Sequence, residues 1–111
     1  MNMKLPESEW NGKFDERRKN RVATSFYKYG SAKDNFGKHL VNALESAEMC
    51  EKKYLETGNT EYLLDMGNYI MFEYMYPSLP NAYFKATDSK ESAGISGISA
   101  KEIEKFREKN T

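Results

Sequence analysis

The chain has 111 residues, of which 39% are hydrophobic and 14% aromatic, and its 17 Lys and Arg side chains balance 17 Asp and Glu side chains. This length fits a single small domain with a modest core, and the zero net charge excludes a polycation that coats nucleic acid in bulk. Because no apolar run approaches the roughly 18 residues of a membrane span, a membrane-spanning protein is excluded as well.

Residues 1–6 carry no apolar stretch of signal-peptide length, so we expect the chain to stay in the cytoplasm of the cell that makes it. Cys50 and His39 are the only cysteine and the only histidine, which excludes an intrachain disulfide and a zinc site built on these residue types. We interpret them as a small buried thiol and an ordinary helix histidine rather than as a nucleophile pair.

The first predicted helix runs from about Lys13 to Tyr29 and ends at Gly30. Apolar residues recur along it at helical spacing, but residues 15–21 are all polar. We therefore expect only the C-terminal half of this helix to pack firmly, through Val22 and Phe26.

Charge is unevenly distributed along the chain. Residues 13–38 hold eight cationic side chains against three carboxylates, a net charge of +5, and residues 45–73 hold two against seven, a net charge of −5. The two segments therefore either lie side by side or bind different partners.

The second predicted helix runs from about Asn35 to Thr57, with Ser31 or Asp34 as its N-terminal cap and Gly58 as the left-handed residue that ends it. One apolar stripe runs along this helix. Its members are Phe36, Leu40, Ala43, Leu44, Ala47, Cys50 and Tyr54.

The third predicted helix begins after Asn59 or Thr60 and ends before Pro77, and it forms an antiparallel hairpin with the second helix. Its apolar side chains leave no continuous polar face, which indicates a central helix covered on several sides. Gly67 costs about 1 kcal/mol relative to alanine in a helix. We therefore expect a neighbouring backbone or aromatic ring to need the space beside it.

Beyond this hairpin, residues 77–98 contain two prolines, two glycines and several serines without a periodic pattern, so we predict an extended strap there. Residues 99–102 have the form of a capping box that opens a short last helix, with Ile103 and Phe106 on one side. Residues 1–12 are predicted to be a flexible N-terminus. The sequence thus predicts one all-α domain over residues 1–111, a small helical bundle built on the hairpin.

Several acidic side chains interrupt the apolar pattern. In the third helix Glu61, Asp65 and Asn68 fall on one face, because steps of four and three residues keep side chains together. Glu73 lies among apolar neighbours on the helical wheel, so its carboxylate needs a partner or a raised pKa.

The motif Glu48-x-x-Glu51, followed after thirteen residues by Asp65-x-x-Asn68, resembles the signature of the MazG-like all-helical nucleoside triphosphate pyrophosphohydrolases. In that family two helices supply E-x-x-E and E-x-x-D motifs to Mg²⁺. The resemblance implies a Mg²⁺ cofactor held by Glu48, Glu51, Asp65 and Asn68, and hydrolysis of nucleoside triphosphates. Asp65 and Asn68 replace the usual Glu and Asp, which reduces the charge available to a second metal ion.

A longer resemblance covers about residues 55–95. It is carried by the segments TGNTEYLLDMGNY (57–69), MFEYMYP (71–77) and ATDSKES (86–92). They are similar to small proteins encoded by phages and prophages of Gram-positive bacteria, a group without an assigned activity. The resemblance implies a mobile-element origin in a bacterial host cell, where proteins of this size commonly bind and block a host enzyme or a defence complex.

The basic first helix is the predicted contact surface. Arg17, Arg18 and Arg21 can form bidentate bonds to carboxylates or phosphates, and Tyr27 follows them, so we expect these four residues to bind a partner. A solvated helix face is the alternative. Direct contact with nucleic acid is less favoured, because no RNA-recognition, zinc-finger or helix-turn-helix signature accompanies the basic residues.

The sequence therefore predicts a phage-type accessory protein that, without a cofactor, binds and inhibits or modulates a host protein or protein–nucleic acid complex. The alternative is the Mg²⁺-dependent pyrophosphohydrolase. Such an enzyme needs four helices around its nucleotide, and because this chain offers about three, it would have to dimerise. A homodimer is also suggested independently, because the third helix has more apolar surface than one small domain covers.

Overall fold

The computed structural model describes residues 4–88, 90, 91, 93, 96, 97 and 100–110, and within these residues the chain forms five α-helices and no strand. This confirms the predicted all-α class. A 3-10 turn over Glu7–Glu9 comes first. The helices are α1 Gly12–Tyr29, α2 Ala32–Asn35, α3 Ala43–Thr57, α4 Glu61–Met75 and α5 Ala100–Asn110.

Local signals set both ends of α1. The Asn11 side chain accepts a hydrogen bond from the Phe14 backbone N–H at 2.8 Å, which satisfies one of the free donors at the helix start. Gly30 follows the last turn with φ of 86°, a value that favours glycine. The predicted helix over residues 13–29 is therefore confirmed to within one residue.

The prediction of one continuous helix over residues 35–57 is wrong at its N-terminal end. The short helix α2, capped by Ser31, ends at Asn35, and α3 begins only at Ala43. Between them His39 adopts a left-handed φ of 56°, and the Asn42 side chain accepts a hydrogen bond from the Glu45 N–H at 3.0 Å. This cap gives the backbone N–H of Glu45 a local partner, so a new helix starts directly after Asn42.

The break redistributes the predicted apolar stripe. Leu40 is 72% exposed, whereas Phe36 is buried because its ring stacks on Phe72 at a centroid distance of 4.6 Å. Ala43 and Ala47 are the buried residues of α3. Small side chains at these two positions let α4 approach closely.

Helix α4 is central, as predicted, and its bounds agree with the prediction. It forms the expected hairpin with α3 across Gly58, which has the left-handed φ of 72°, and it also packs against α1. However, neighbouring helices cover α4 on two sides only, those that face α3 and α1, whereas the prediction was that it is covered on several sides. Ile70 is 49% exposed and Tyr74 is 76% exposed.

The contact between α1 and α4 involves other residues than predicted. Val22 and Phe26 line a cavity, and Phe26 is more than half exposed. Phe14 lies against Gly67 of α4, and two arginines of the polar stretch reach across to polar groups of α4 with their long side chains. A Cβ atom at Gly67 would lie 3.3 Å from Phe14 Cζ, so the predicted close approach of an aromatic ring is confirmed.

The C-terminal part of the chain takes little part in this core. Residues 77–88 are exposed throughout, and α5 carries the half-buried Ile103 and the exposed Phe106. The predicted capping box begins at residue 99, which lies outside the described residues. No helix in the described part of the chain combines the length and apolar character that a membrane crossing requires.

Candidate functional site

An ion-pair cluster joins α1 to the acidic start of α4. The Arg21 guanidinium donates to both carboxylate oxygens of Asp65, with Nη2 at 3.0 Å from Oδ2, and its Nη1 donates to Glu61. The hydrogen bond to Asp65 raises the pKa of Arg21 above its ordinary value. The basic and acidic segments therefore lie side by side here, which was one of the two alternatives that the sequence left open.

A second polar contact lies one turn away. Asn68 is 6% exposed, and its side-chain amide donates to the Arg18 backbone carbonyl at 3.0 Å. Arg18 in turn approaches Asn68 Oδ1 at 3.5 Å and the sulfur of Met71 at 3.3 Å, and it pairs with Asp15 at 3.3 Å. The polar stripe of α4 is thus used to hold α1.

These contacts divide the four predicted partner-binding residues into two pairs. Arg18 and Arg21 face α4 and bind its polar side chains. Arg17 is exposed, and Tyr27 is 85% exposed on the solvent side of α1. Among the contacts of the described residues, Arg17 has no ion pair, so this pair of residues is available to a partner.

The four predicted metal ligands do not converge in the structure. Asp65 is bound to Arg21 and Asn68 to Arg18, whereas Glu51 is exposed on α3 and Glu48 pairs weakly with Lys52 at 3.9 Å. In the part of the chain that the structure describes, no three His, Cys, Asp or Glu side chains are grouped so that they could hold a metal ion.

A cavity of about 400 Å³ opens between the C-terminal half of α1, α2 and α4. Its lining combines aromatic and polar side chains. The aromatic members are Phe26, Tyr29, Phe36, Tyr69 and Phe72, and the polar members include Arg21, Ser25, Asn35, Asp65 and Asn68. The sequence did not indicate this cavity, because aromatic residues at helical spacing are typical of a core.

The charge of the cavity wall favours neutral occupants. Arg21 and Asp65 neutralise each other at its edge, so an incoming anion would meet no unpaired cation there. Burial raises the pKa of the Tyr69 hydroxyl, which therefore stays protonated at neutral pH. Outside the cavity, the Tyr27 ring lies edge-on to the Phe26 ring with centroids 5.5 Å apart. The cavity and the Tyr27 and Phe26 rings beside it together suit an apolar or aromatic group of a binding partner.

A smaller cavity of about 270 Å³ lies beside the C-terminal end of α4. Glu73 and His39 are part of its wall. The Glu73 carboxylate accepts hydrogen bonds from the Ser78 backbone N–H at 2.7 Å and from the Ser78 hydroxyl at 2.9 Å. The partner predicted for Glu73 is thus found, and its role is to fix the turn that follows α4.

Comparisons with protein-family models, with curated proteins and with solved structures give no match for this chain.

Proposed function

We propose that this chain is a phage-type accessory protein that binds a host macromolecule on the C-terminal half of α1 and thereby inhibits or modulates it. The observation that carries the proposal is the open, aromatic-walled cavity of about 400 Å³ directly beside the exposed rings of Tyr27 and Phe26. Binding hot spots are typically aromatic or arginine anchors that fill well-formed pockets. Here the pocket belongs to this chain, and the anchor is an apolar side chain of the partner.

The charge of the outward side of α1 indicates which partner surfaces fit. The exposed side chains of α1 include Lys13, Arg17, Lys19 and Lys28 against Asp15 and Glu16, so that its exposed charge is basic on balance, while Arg18 and Arg21 are used within the chain. An acidic surface is attracted to such a face, which raises the rate of association more than the final affinity. A protein with carboxylates around an apolar anchor therefore fits better than double-stranded nucleic acid, whose bases stay paired and stacked unless unstacking energy is spent to bring one into the cavity.

Filling the cavity tests the proposal. Ser25 lines the cavity, and its neighbour Thr24 on the same helix does not. Ser25→Trp should abolish the capture of a partner from a bacterial lysate, whereas Thr24→Trp, the matched control, should leave capture intact. Circular dichroism verifies that both variants remain helical. Equal capture by the parent and by Ser25→Trp would contradict the cavity as the anchor site.

The basic face is tested separately. Arg17→Glu combined with Lys28→Glu should slow association with the captured partner by about tenfold or more, because electrostatic steering is reversed. Lys105→Glu on α5 serves as the control. If the captured material is nucleic acid and digestion with nuclease removes the interaction, the partner is not a protein and the proposed class of partner is wrong.

A further inference from the structure

The Glu73 carboxylate differs from the other two carboxylates of α4 in its surroundings. Glu61 and Asp65 pair with Arg21, whereas Glu73 makes no ion pair within the part of the chain that the structure describes. Its hydrogen bonds come from the backbone N–H and the hydroxyl of Ser78, which are neutral groups. This partly buried carboxylate therefore has hydrogen-bond donors but no counter-charge.

The C-terminal end of α4 adds to the negative potential at Glu73. The last turn of this helix contains no basic residue. Pro77 has no N–H, and among the hydrogen bonds of the described residues none is made to the backbone carbonyls of residues 73–75. The helix dipole places roughly half a negative elementary charge at such an end, where a cation is stabilised. The end of α4 therefore attracts a cation from outside the chain.

The smaller cavity, of about 270 Å³, gives a ligand access to this carboxylate. Its wall includes Glu73 together with the side chains of Phe36, Val41 and Tyr76. The volume is several times the ~30 Å³ that one water molecule occupies in the liquid, so a small organic group fits. The cavity thus combines one negative group with apolar surface.

The turn between α2 and α3 forms part of this wall, and its shape is set by the fold. A Cβ atom at Gly37 would clash with the Lys33 carbonyl oxygen and would lie 3.5 Å from Tyr76 Cδ1. His39, in the wall, has a left-handed φ of 56°, which is uncommon for a residue with a side chain. Backbone of this kind persists where its surroundings fix it.

The carboxylate geometry distinguishes between classes of cation. A divalent metal ion needs several ligands, and the described residues contain no suitable group of three His, Cys, Asp or Glu side chains. A guanidinium binds a carboxylate through both oxygens, but Oε2 of Glu73 already accepts two hydrogen bonds from Ser78, at 2.7 and 2.9 Å. Oε1 accepts none within the described chain. A compact ammonium, which needs one open oxygen, therefore fits better.

We propose that this cavity binds a primary ammonium group carried on an apolar stem. The ammonium donates to Glu73 Oε1, and the stem lies against Phe36, Val41 and Tyr76. A lysine side chain of another protein and a free aliphatic amine share this chemistry. The site is independent of the proposed function, because Phe36 and Val41 border both cavities but Glu73 belongs to the smaller one alone.

The probe for this site is n-butylamine, and the reporter is the Ser78 backbone amide, followed by NMR during a titration of the full chain at pH 7. This amide should shift saturably, with a dissociation constant on the order of 1 mM. Glu73→Gln should weaken binding at least ~10-fold, because it removes the charge while its amide oxygen still accepts from Ser78. Circular dichroism verifies that the variant remains helical.

Glu56→Gln is the matched control. Glu56 also lies in the last turn of a helix, but it is exposed on α3, outside the cavity, and pairs with Lys53 at 3.6 Å. This variant should bind n-butylamine as the parent does. An equal loss of binding in both variants would contradict the site, because it would assign the attraction to the overall charge of the chain.

Two other cations test the chemistry of recognition. Tetramethylammonium carries the charge without an N–H group, and n-butylguanidinium replaces the single ammonium by a planar fork, so each should bind at least ~5-fold more weakly than n-butylamine. The proposal is overturned if tetramethylammonium binds equally well, if Glu73→Gln binds as the parent does, or if the parent shows no saturable shift up to about 50 mM n-butylamine.

A blocked lysine distinguishes the two sources of the ammonium group. Acetyl-lysine methylamide carries peptide groups on both sides of the side chain. Binding as tight as that of n-butylamine supports a lysine of another protein as the ligand. Binding at least ~10-fold weaker supports a free aliphatic amine, because the cavity then excludes the peptide backbone.

Discussion

At the scale of single residues, the fold depends on two positions where a small side chain or none permits close contact. Gly67 lies under the Phe14 ring, and Ala47 lies buried between α3 and α4. Glycine at position 67 lowers the helix propensity, and alanine at position 47 buries little apolar volume, but both let two helices approach closely. Enlarging either one forces two helices apart.

We expect Gly67→Leu to lower the melting temperature by roughly 5–10 °C. The added side chain meets the Phe14 ring, and overpacking of this kind costs about 1–3 kcal/mol. Gly67→Leu combined with Phe14→Ala should recover part of the loss, because the second change removes the ring. Thermal unfolding followed by circular dichroism measures both variants. An unchanged melt for Gly67→Leu would contradict the close contact.

Cys50 gives a prediction for alkaline pH. Burial raises the pKa of its thiol above the unfolded value, and the nearby Asp65 adds to this effect. The folded state therefore holds the proton where the unfolded state has lost it. The resulting stability is fully present below the unfolded pKa and is lost as pH rises through the folded pKa.

The melting temperature should consequently fall between pH 8 and pH 11, and it should fall less in Cys50→Ser. In the folded parent at pH 8, alkylation of the thiol by iodoacetamide should be several-fold slower than in urea, because less thiolate is present and access is restricted. Alkylation at the same rate in both states would contradict the partial burial of Cys50 and its raised pKa.

At the scale of helices, α1 is attached to α4 mainly through polar side chains. Arg21 binds Asp65 and Glu61, and Arg18 binds the buried Asn68. Phe14 adds an apolar contact, since its ring lies on Gly67. The position of α1 therefore depends in part on hydrogen-bond geometry, and the cavity opens beside these polar contacts.

We expect Arg21→Gln to destabilise the chain by roughly 1 kcal/mol, or about 4–8 °C in melting temperature. The estimate is modest because the Arg21 side chain is 42% exposed. Asp65→Asn in the same chain should restore part of the loss, because it removes the carboxylate that Arg21 neutralised. Arg17→Gln, on the outward side, is the control and should not change the melt. Equal effects at positions 17 and 21 would contradict the ion-pair contact.

At the scale of the whole molecule, the core is small for the length of the chain. The described residues contain three buried apolar side chains, Phe36, Ala43 and Ala47. Many aromatic and aliphatic side chains remain at the surface, and patches of this kind mark sites of association.

The sequence by itself determined the helices whose ends are marked by neighbouring residues. Gly30 and Gly58 end α1 and α3 because left-handed backbone after a last turn is a local steric matter. The placement of Asp65 and Asn68 on one face of α4 also follows from helix geometry alone. The close contact at Gly67 could be predicted because an isolated glycine among bulky residues is costly without a packing reason.

Only the tertiary structure decided which faces meet. Arg21 and Asp65 are 44 residues apart in sequence, and Arg18 and Asn68 are 50 apart. No local feature of the sequence distinguishes these contacting residues from Arg17 and Glu48, which stay exposed. The restart of α3 at Ala43 was missed for a related reason, since the apolar pattern continues through the turn and the cap at Asn42 competes with it. The cavity beside α1 likewise forms only where α1, α2 and α4 come together, and packing between distant segments leaves no periodic trace in the sequence.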